Sequence, residues 1–308
     1  MIDTETVIIL GAGASCTYGY PSGPELAKQI CDGLQHAPSQ TNPNIELFVQ
    51  MGFFPDIIAE FVDSLKNCGR DTIDEYLKNN PRFNRIGKYA IAWALIRHEN
   101  TNRLMVGNSK NNLYKHLFTA MTEDIDTIDQ IINNKISFII FNYDRSLEQF
   151  FYTVLKKLYG ENKDEQKIFE ILKKLPIIHV HGQIGFMPWQ NQNHREYAAQ
   201  LNAQNIKTTA ENIGIFTEIK AEHNNFLKAR DLINKANIVC FLGFGFHPYN
   251  MEKLNATYLL KNKKIIGTGQ GISQKRKRDI VKITENAEFM NLSEGSIEYY
   301  LDQQSNWL

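Results

Sequence analysis

Three polar side chains follow short apolar runs of the sequence. Asn142 and Asp144 follow residues 136–141, which read ISFIIF, and His181 follows residues 177–180, which read IIHV. A side-chain amide both donates and accepts hydrogen bonds, so it can position a water molecule. A histidine can accept a proton near neutral pH. Asn142 and His181 are therefore candidate catalytic residues for a reaction in which a positioned water attacks.

A glycine turn follows the first apolar run. Residues 7–13 read VIILGAG, a β-branched run that stops at two glycines spaced by one residue. A strand that ends in such a turn before a helix can aim backbone N–H groups at a pyrophosphate. The third glycine of the dehydrogenase fingerprint would fall at Cys16, and the ribose-binding acid would fall at Asp32, on a predicted helix. A hydride-transfer enzyme is therefore disfavoured, and a turn that binds no ligand stays an alternative.

The elements around these residues must bring them together. Short apolar runs predict buried strands, and helical periodicity separates most of them. The runs are 7–10, 136–141, 177–181, 238–242 and 264–267. Strands separated by helices indicate an α/β fold, here a Rossmann-like doubly wound parallel sheet covered on both faces.

The pattern between the first two strands is different. Residues 36–131 carry helical apolar stripes and few strand signals, which predicts a helical insertion beside the sheet without chemistry of its own. The Rossmann-like core is then about 1–35 and 132–308, and the whole chain 1–308 is a single domain. The polar segment 187–212 is predicted to be a long excursion or a lid.

Further glycines follow the last two predicted strands. Gly243 and Gly245 form GFG after the fourth strand, and Gly267 begins GTG after the fifth. In an open parallel sheet, ligands bind outside the carboxyl ends of the strands. The sequence thus gathers glycines and polar groups at one edge, where a dinucleotide would lie.

Together these motifs resemble the sirtuin family, and the chain looks most like its sirtuin-like NAD-hydrolase branch in bacterial anti-phage defence. The resemblance is carried by GAGAS at 11–15, FNYD at 141–144, HVHG at 179–182, GFGF at 243–246 and GTG at 267–269. It covers about 1–35 and 132–270, and it implies a single sirtuin-like domain.

The resemblance implies a role for each matching residue. Asn142 would bind the water or the nicotinamide ribose, and His181 would contact the ribose hydroxyls or act as general base. Asp144 would contact the carboxamide of nicotinamide. The implied cofactor-binding residues are also Gly11, Ala12 and Gly13 at the pyrophosphate, Ser15 and Gly245 nearby, and Gly243 and Gly267 toward the phosphates and the adenosine half.

Two departures from the protein-deacylating members of the family are visible. Those members carry four zinc cysteines between the HG and GTS motifs, whereas residues 183–239 contain no cysteine. Residues 19–23, GYPSG, lack the phenylalanine and arginine of the deacylase cofactor loop. The resemblance therefore implies NAD as substrate and no zinc, and the departures count against deacylation more than against NAD binding.

Each candidate residue has a structural alternative. Asn142 can be a turn residue, Asp144 can cap the helix that follows it, and Ser15 can merely begin a turn. The period of two in a strand predicts that His179 and His181 point to one face. His181 directly precedes the glycine and is the preferred catalytic residue, while His179 stays an alternative.

The leading interpretation is an NAD glycohydrolase that yields ADP-ribose and nicotinamide and depletes NAD in anti-phage defence. The alternatives are an NAD-dependent protein deacylase or ADP-ribosyltransferase, and a non-catalytic module that senses NAD or ADP-ribose. The resemblance also implies a homo-oligomer and a defence partner such as a hexameric translocase ATPase or an Argonaute-like protein.

Charge and hydropathy exclude other classes. Lys plus Arg number 34, as do Asp plus Glu, so the formal charge of zero does not favour direct nucleic-acid binding. The basic run 274–278 predicts a solvated helix face. No stretch approaches the roughly 18 apolar residues of a membrane span, so no membrane contact is expected and a cytoplasmic location is predicted.

Overall fold

A five-stranded parallel sheet forms the centre of the chain. The computed structural model describes residues 1–35, 42–106, 112–159, 165–215, 218 and 223–283. The strands are β1 (Thr6–Leu10), β2 (Ile136–Ile140), β3 (Ile177–His179), β4 (Ile238–Leu242) and β5 (Lys264–Gly267). All neighbours are parallel, in the order β3-β2-β1-β4-β5. This order, with β1 in the middle, confirms the predicted Rossmann-like doubly wound sheet.

Helices fill the connections between the strands. Those before β2 are α1 (Gly23–Leu34), α2 (Pro43–Gln50), α3 (Pro55–Asn67), α4 (Ile73–Asn79), α5 (Asn84–Ile96), α6 (Thr101–Val106) and α7 (Leu113–Thr122). Those after β2 are α8 (Ser146–Tyr159), α9 (Glu165–Lys174), α10 (Ala203–Glu211), α11 (Asn224–Lys235), α12 (Pro248–Lys253), α13 (Ala256–Leu259) and α14 (Gln274–Ile283). Among the described residues, no helix is long and apolar enough to cross a membrane.

The two faces of the sheet belong to two hydrophobic cores. In β1, Ile8 and Leu10 join the core that contains the buried residues of α1–α9, whereas Val7 and Ile9 join the core that contains those of α11–α13. The predicted helical insertion therefore packs on one face of the sheet. Residues 36–41 of the predicted insertion and 284–308 of the predicted core lie outside the described residues. The division of the chain into domains stays a prediction.

The polar segment 187–212 lies away from the cleft, as an excursion and not over it as a lid. Its residues 203–211 form α10, which packs against α5 and buries Ile206, Thr209 and Ala210. No residue of this segment lines the cleft at the carboxyl edge of the sheet. The segment contributes Arg195 to a buried cluster of charges.

That buried cluster joins two arginines to one glutamate. Glu99 accepts a hydrogen bond from Arg145 Nε at 2.8 Å and another from Arg195 Nη2 at 2.8 Å. It also accepts from the backbone N–H of Ala198 at 2.9 Å. The arginines donate further hydrogen bonds to backbone carbonyls of residues 184–196. Buried charges persist in a protein when they are paired and hydrogen-bonded, as these are.

We expect Glu99→Ala to lower the free energy of unfolding by about 3–5 kcal/mol, because it leaves two buried guanidinium groups without a counter-charge. Glu196→Ala is the control, since that side chain is 77% exposed, and it should change stability by less than about 0.5 kcal/mol. Urea unfolding followed by circular dichroism measures both. Equal stability of the two variants would show that the backbone carbonyls alone hold the arginines.

Candidate functional site

A cleft of about 760 Å³ opens at the carboxyl ends of the strands. The predicted site residues that line it are Gly11, Ala12, Gly13, Asn142, Asp144, His181, Gly243 and Gly245. These residues come from the ends of β1, β2 and β4 and from the turn after β3. The two candidate catalytic residues and most of the candidate binding residues thus share one cleft.

Asn142 links the end of β2 to the glycine turn. Its Nδ2 donates to Gly11 O and to Ser15 Oγ, both at 2.9 Å. Both N–H bonds of the amide are therefore directed into the protein. Among the described residues no donor contacts Oδ1, so this amide would meet a ligand as an acceptor. Asn142 is at once a turn residue and a cleft residue.

His181 is a neutral imidazole in an aromatic surround. Its ring packs edge-on against Phe141 and Phe226, with centroid separations of 5.6 Å in each case. Nε2 lies 3.3 Å from Asn250 Oδ1, and because an amide oxygen only accepts, Nε2 carries the proton and Nδ1 is the basic atom. Burial lowers the pKa of His181 to about 4. At neutral pH the ring is therefore uncharged, and Nδ1 is itself a buried atom.

The prediction that His179 and His181 share one face is wrong. Strand β3 ends at His179, and the chain turns through Gly182, whose φ is 77°. The alternation of a strand therefore does not extend to His181. The ring of His179 contacts Glu148 on α8, whereas the ring of His181 packs against Phe226 on α11. His179 does not line the cleft.

Asp144 both lines the cleft and caps a helix. Its Oδ1 accepts hydrogen bonds from the backbone N–H of Ser146 at 3.1 Å and from the Ser146 hydroxyl, at the first residue of α8. Burial raises the pKa of Asp144, against hydrogen bonds from Ser146 and Ser15 that lower it. Asp144 therefore does both: it bonds the first residue of α8, as the capping alternative predicts, and it lines the cleft.

Two of the predicted binding residues lie behind the wall of the cleft. Ser15 is buried, and its hydroxyl accepts from Asn142 and hydrogen-bonds to Asp144. Gly267 ends β5 beside Phe241 and is part of the sheet. Neither residue lines the cleft. The Ser15 hydroxyl instead holds the side chains of Asn142 and Asp144, which do line the cleft. A contact between Ser15 and a phosphate stays a prediction.

Gly13 and Gly243 are required by a close approach of two turns. The backbone N–H of Gly13 donates to Gly243 O at 3.0 Å. A Cβ on Gly13 would lie 2.9 Å from Gly243 Cα, and a Cβ on Gly243 would lie 2.1 Å from the nitrogen of Ala14. These two glycines are therefore fixed by packing between the ends of β1 and β4, whatever the cleft binds. By contrast, a Cβ on Gly245 would meet no atom within 4 Å.

We expect Gly243→Ala to destabilise the protein by at least about 1–3 kcal/mol, since Gly243 has a φ of 58° and no room for a methyl group. Gly245→Ala, two residues along the same loop, should stay within about 0.5 kcal/mol. Thermal unfolding of the two variants makes the comparison. An equally stable Gly243→Ala would show that the two turns can move apart without cost.

The insertion supplies another wall of the cleft. Asp74, on α4, lines the cleft and accepts a hydrogen bond from the Tyr143 hydroxyl at 2.6 Å. The next residue, Glu75, lies 2.8 Å from His247 Nε2 at the start of α12. Burial raises the pKa of Asp74, against the Tyr143 hydrogen bond. The insertion thus contributes a carboxyl group to the cleft, contrary to the prediction of a region without chemistry.

The cleft carries an acidic group on one side of β1 and a basic group on the other. Asp144 follows β2, and Arg276, on α14, follows β5. Arg276 belongs to the run that predicts a solvated face, yet it lines the cleft and donates to Phe246 O at 2.6 Å. In the part of the chain that the structure describes, no three His, Cys, Asp or Glu side chains form a metal-binding group.

Comparison with known proteins adds a structural similarity. No protein-family model matches the sequence, and no curated protein matches it. Among solved structures, the chain is similar to a Sir2 homologue mutant in complex with 2'-O-acetyl ADP ribose. The two chains are 12% identical, with a TM-score of 0.41, and the alignment covers 98% of this chain and 90% of that chain. A similarity at this level carries no argument about chemistry.

Proposed function

We propose that the chain is an NAD glycohydrolase, which cleaves the bond between nicotinamide and ribose and releases nicotinamide and ADP-ribose. The observation that carries this proposal is the common position of Asn142 and His181 in one cleft. Each residue lies two positions beyond the last pair of β2 and β3, Ile140 and His179. The glycine turn after β1 borders the same cleft.

The shape and charge of the cleft support a dinucleotide. A volume of about 760 Å³ lies within the range of roughly 300–1,000 Å³ typical of small-molecule sites. The nicotinamide ring of NAD is cationic, so it would lie at the end of the cleft that Asp144 and Asp74 line. The phosphates and adenosine would then extend past the glycine turns toward Arg276.

The chemistry needs alignment more than a strong base. Cleavage of a glycosidic bond passes through an oxocarbenium-like centre, which water attacks readily. Asn142 Oδ1 would accept a hydrogen bond from that water or from a ribose hydroxyl and hold it in place. His181 would accept the proton as the new bond forms or contact a ribose hydroxyl, and because the centre is strongly electrophilic, a weak base is sufficient.

The resemblance to anti-phage NAD hydrolases supports a role as an NAD-depleting effector. In that role the chain would work as a homo-oligomer together with a defence partner, such as a hexameric translocase ATPase or an Argonaute-like protein. A deacylase or an ADP-ribosyltransferase would need an acceptor besides water. A sensing module would bind NAD and leave it intact.

Incubation with NAD under multiple-turnover conditions separates these functions. We expect nicotinamide and ADP-ribose to appear in equal amounts with no added acceptor. An acetylated peptide or an acceptor protein, added in parallel, should not raise the rate of nicotinamide release. Release that occurs only with the peptide or the protein would replace hydrolysis by group transfer.

A further inference from the structure

A buried ion pair lies behind Asn142. The side chains of His179 and Glu148 are 4% and 0% exposed, and Nε2 of His179 lies 2.7 Å from Oε1 of Glu148. On the other side of the ring, Nδ1 lies 3.1 Å from the backbone carbonyl oxygen of Asn142. Neither His179 nor Glu148 lines the cleft. The contact between this pair and the cleft therefore runs through the Asn142 peptide.

The contacts of His179 favour a charged ring. With Glu148 as a carboxylate, its oxygen and the Asn142 carbonyl oxygen both accept hydrogen bonds, so both nitrogens of His179 donate. Burial lowers the pKa of His179, but Glu148 and the Asn142 carbonyl outweigh it, so the pKa is raised overall. Within the described residues Oε2 of Glu148 has no hydrogen-bond partner. A buried ion pair with an unsatisfied oxygen is a poor source of stability, which favours another reason for its presence.

We propose that Glu148 and His179 are positioning residues that hold the Asn142 peptide, so that Oδ1 of Asn142 stays aimed at the reacting water or ribose. The proposal rests on the proposed NAD cleavage. Asn142 is held through its side-chain nitrogen by Gly11 and Ser15, and through its backbone carbonyl by His179. These contacts leave Oδ1 as the polar side-chain atom that remains for a ligand.

Loss of the proton from His179 would break this arrangement. A neutral ring has one N–H, and the bond to the carboxylate is the stronger of the two. Nδ1 would then face the Asn142 carbonyl oxygen as a second acceptor. The titratable groups that face the ring are Glu148 on α8 and Asp144 after β2, while Asn225 on α11 donates to the backbone carbonyl of His179. Turnover should therefore fall as the pH rises through the raised pKa of His179, by about tenfold per pH unit.

The variant Glu148→Gln tests whether the charge of His179 is needed, because it keeps a hydrogen bond to Nε2 without a carboxylate. The amide N–H of the new side chain can donate to Nε2 of a neutral ring, which leaves Nδ1–H on the Asn142 carbonyl at every pH. We expect the wild-type protein to lose turnover on the alkaline side and Glu148→Gln to lack that loss. Glu170→Gln, on the exposed face of α9, should keep the wild-type profile. An unchanged alkaline loss in Glu148→Gln would overturn the proposal.

Nitrogen NMR of the histidine rings provides a readout that does not depend on activity. In the wild-type protein both nitrogens of His179 should be protonated at neutral pH, and in Glu148→Gln only Nδ1 should be. A neutral His179 in the wild type would overturn the inference, whatever the activity. A charged His179 in a protein that never cleaves NAD would instead overturn the proposed function and reduce the pair to a structural role.

Circular dichroism at each pH distinguishes unfolding from loss of turnover. This control is needed because the stability that comes from a raised histidine pKa is also lost as the pH rises.

Discussion

Asn142→Ala is expected to slow NAD cleavage by about 10²–10³, because it removes a preorganised polar group that positions the reacting water or ribose. The variant also loses the hydrogen bonds from Nδ2 to Gly11 O and Ser15 Oγ. That loss should lower stability by only about 1–3 kcal/mol, so the protein should remain folded. The measurement is the rate of nicotinamide release at saturating NAD, with the fold checked by circular dichroism.

A matched control for this variant is Asn67→Ala. Asn67 is exposed on α3, and within the described residues its amide donates hydrogen bonds only to Asp63 on the same helix. Its loss should leave the rate of cleavage unchanged. If folded Asn142→Ala cleaves NAD as fast as Asn67→Ala, the reacting water is positioned elsewhere, and Asp74 becomes the next residue to test.

His181→Ala should slow cleavage by about 10²–10⁴, the usual cost of losing a general base. The pKa of about 4 for the buried ring adds a pH signature. Because the neutral form is the active one, titration of His181 should lower wild-type turnover on the acid side, as the pH approaches about 4. Over the same window the unfolded chain binds the proton more readily, so the stability of the fold also falls as the pH falls from about 6.5 toward 4.

His116→Ala is the control for the histidine variant, since His116 is exposed on α7 and does not line the cleft. Both variants are compared with wild type in the rate of nicotinamide release and in the affinity for ADP-ribose. His181→Ala should lose rate and keep most of the affinity. A variant that loses affinity and keeps its rate at saturating NAD would assign His181 to binding and refute its role as base.

The strands and the edge that holds the site could be predicted from sequence. Runs such as 7–10 and 238–242 are apolar at every position because parallel strands are buried on both faces, and that pattern is local. The glycine turns after β1 and β4 could also be predicted from the sequence. The close packing of Gly13 against Gly243 could not. The face of His181 was predicted wrongly because the end of a three-residue strand is set by the following turn, not by its own residues.

The remaining residues of the cleft depend on contacts between distant segments. Asp74 lies on a short helix whose acidic residues resemble an ordinary solvated face, and only packing of the insertion brings it to Tyr143. The pairing of Asn250 with His181 joins residues 69 positions apart. Arg276 belongs to a basic run in which no local pattern distinguishes one side chain from its neighbours. Such contacts carry no periodicity, so sequence analysis alone could not find them.

A single-turnover experiment tests the central claim most directly. The purified chain is held in excess over NAD, at concentrations high enough to favour assembly, and NAD, nicotinamide and ADP-ribose are quantified over time. The wild-type protein is expected to convert all of the bound NAD to nicotinamide and ADP-ribose, whereas Asn142→Ala should bind NAD and leave nearly all of it intact over the same time. If NAD saturates the wild-type protein and is recovered unchanged, the cleft is a binding site without the proposed chemistry, which contradicts the proposed function.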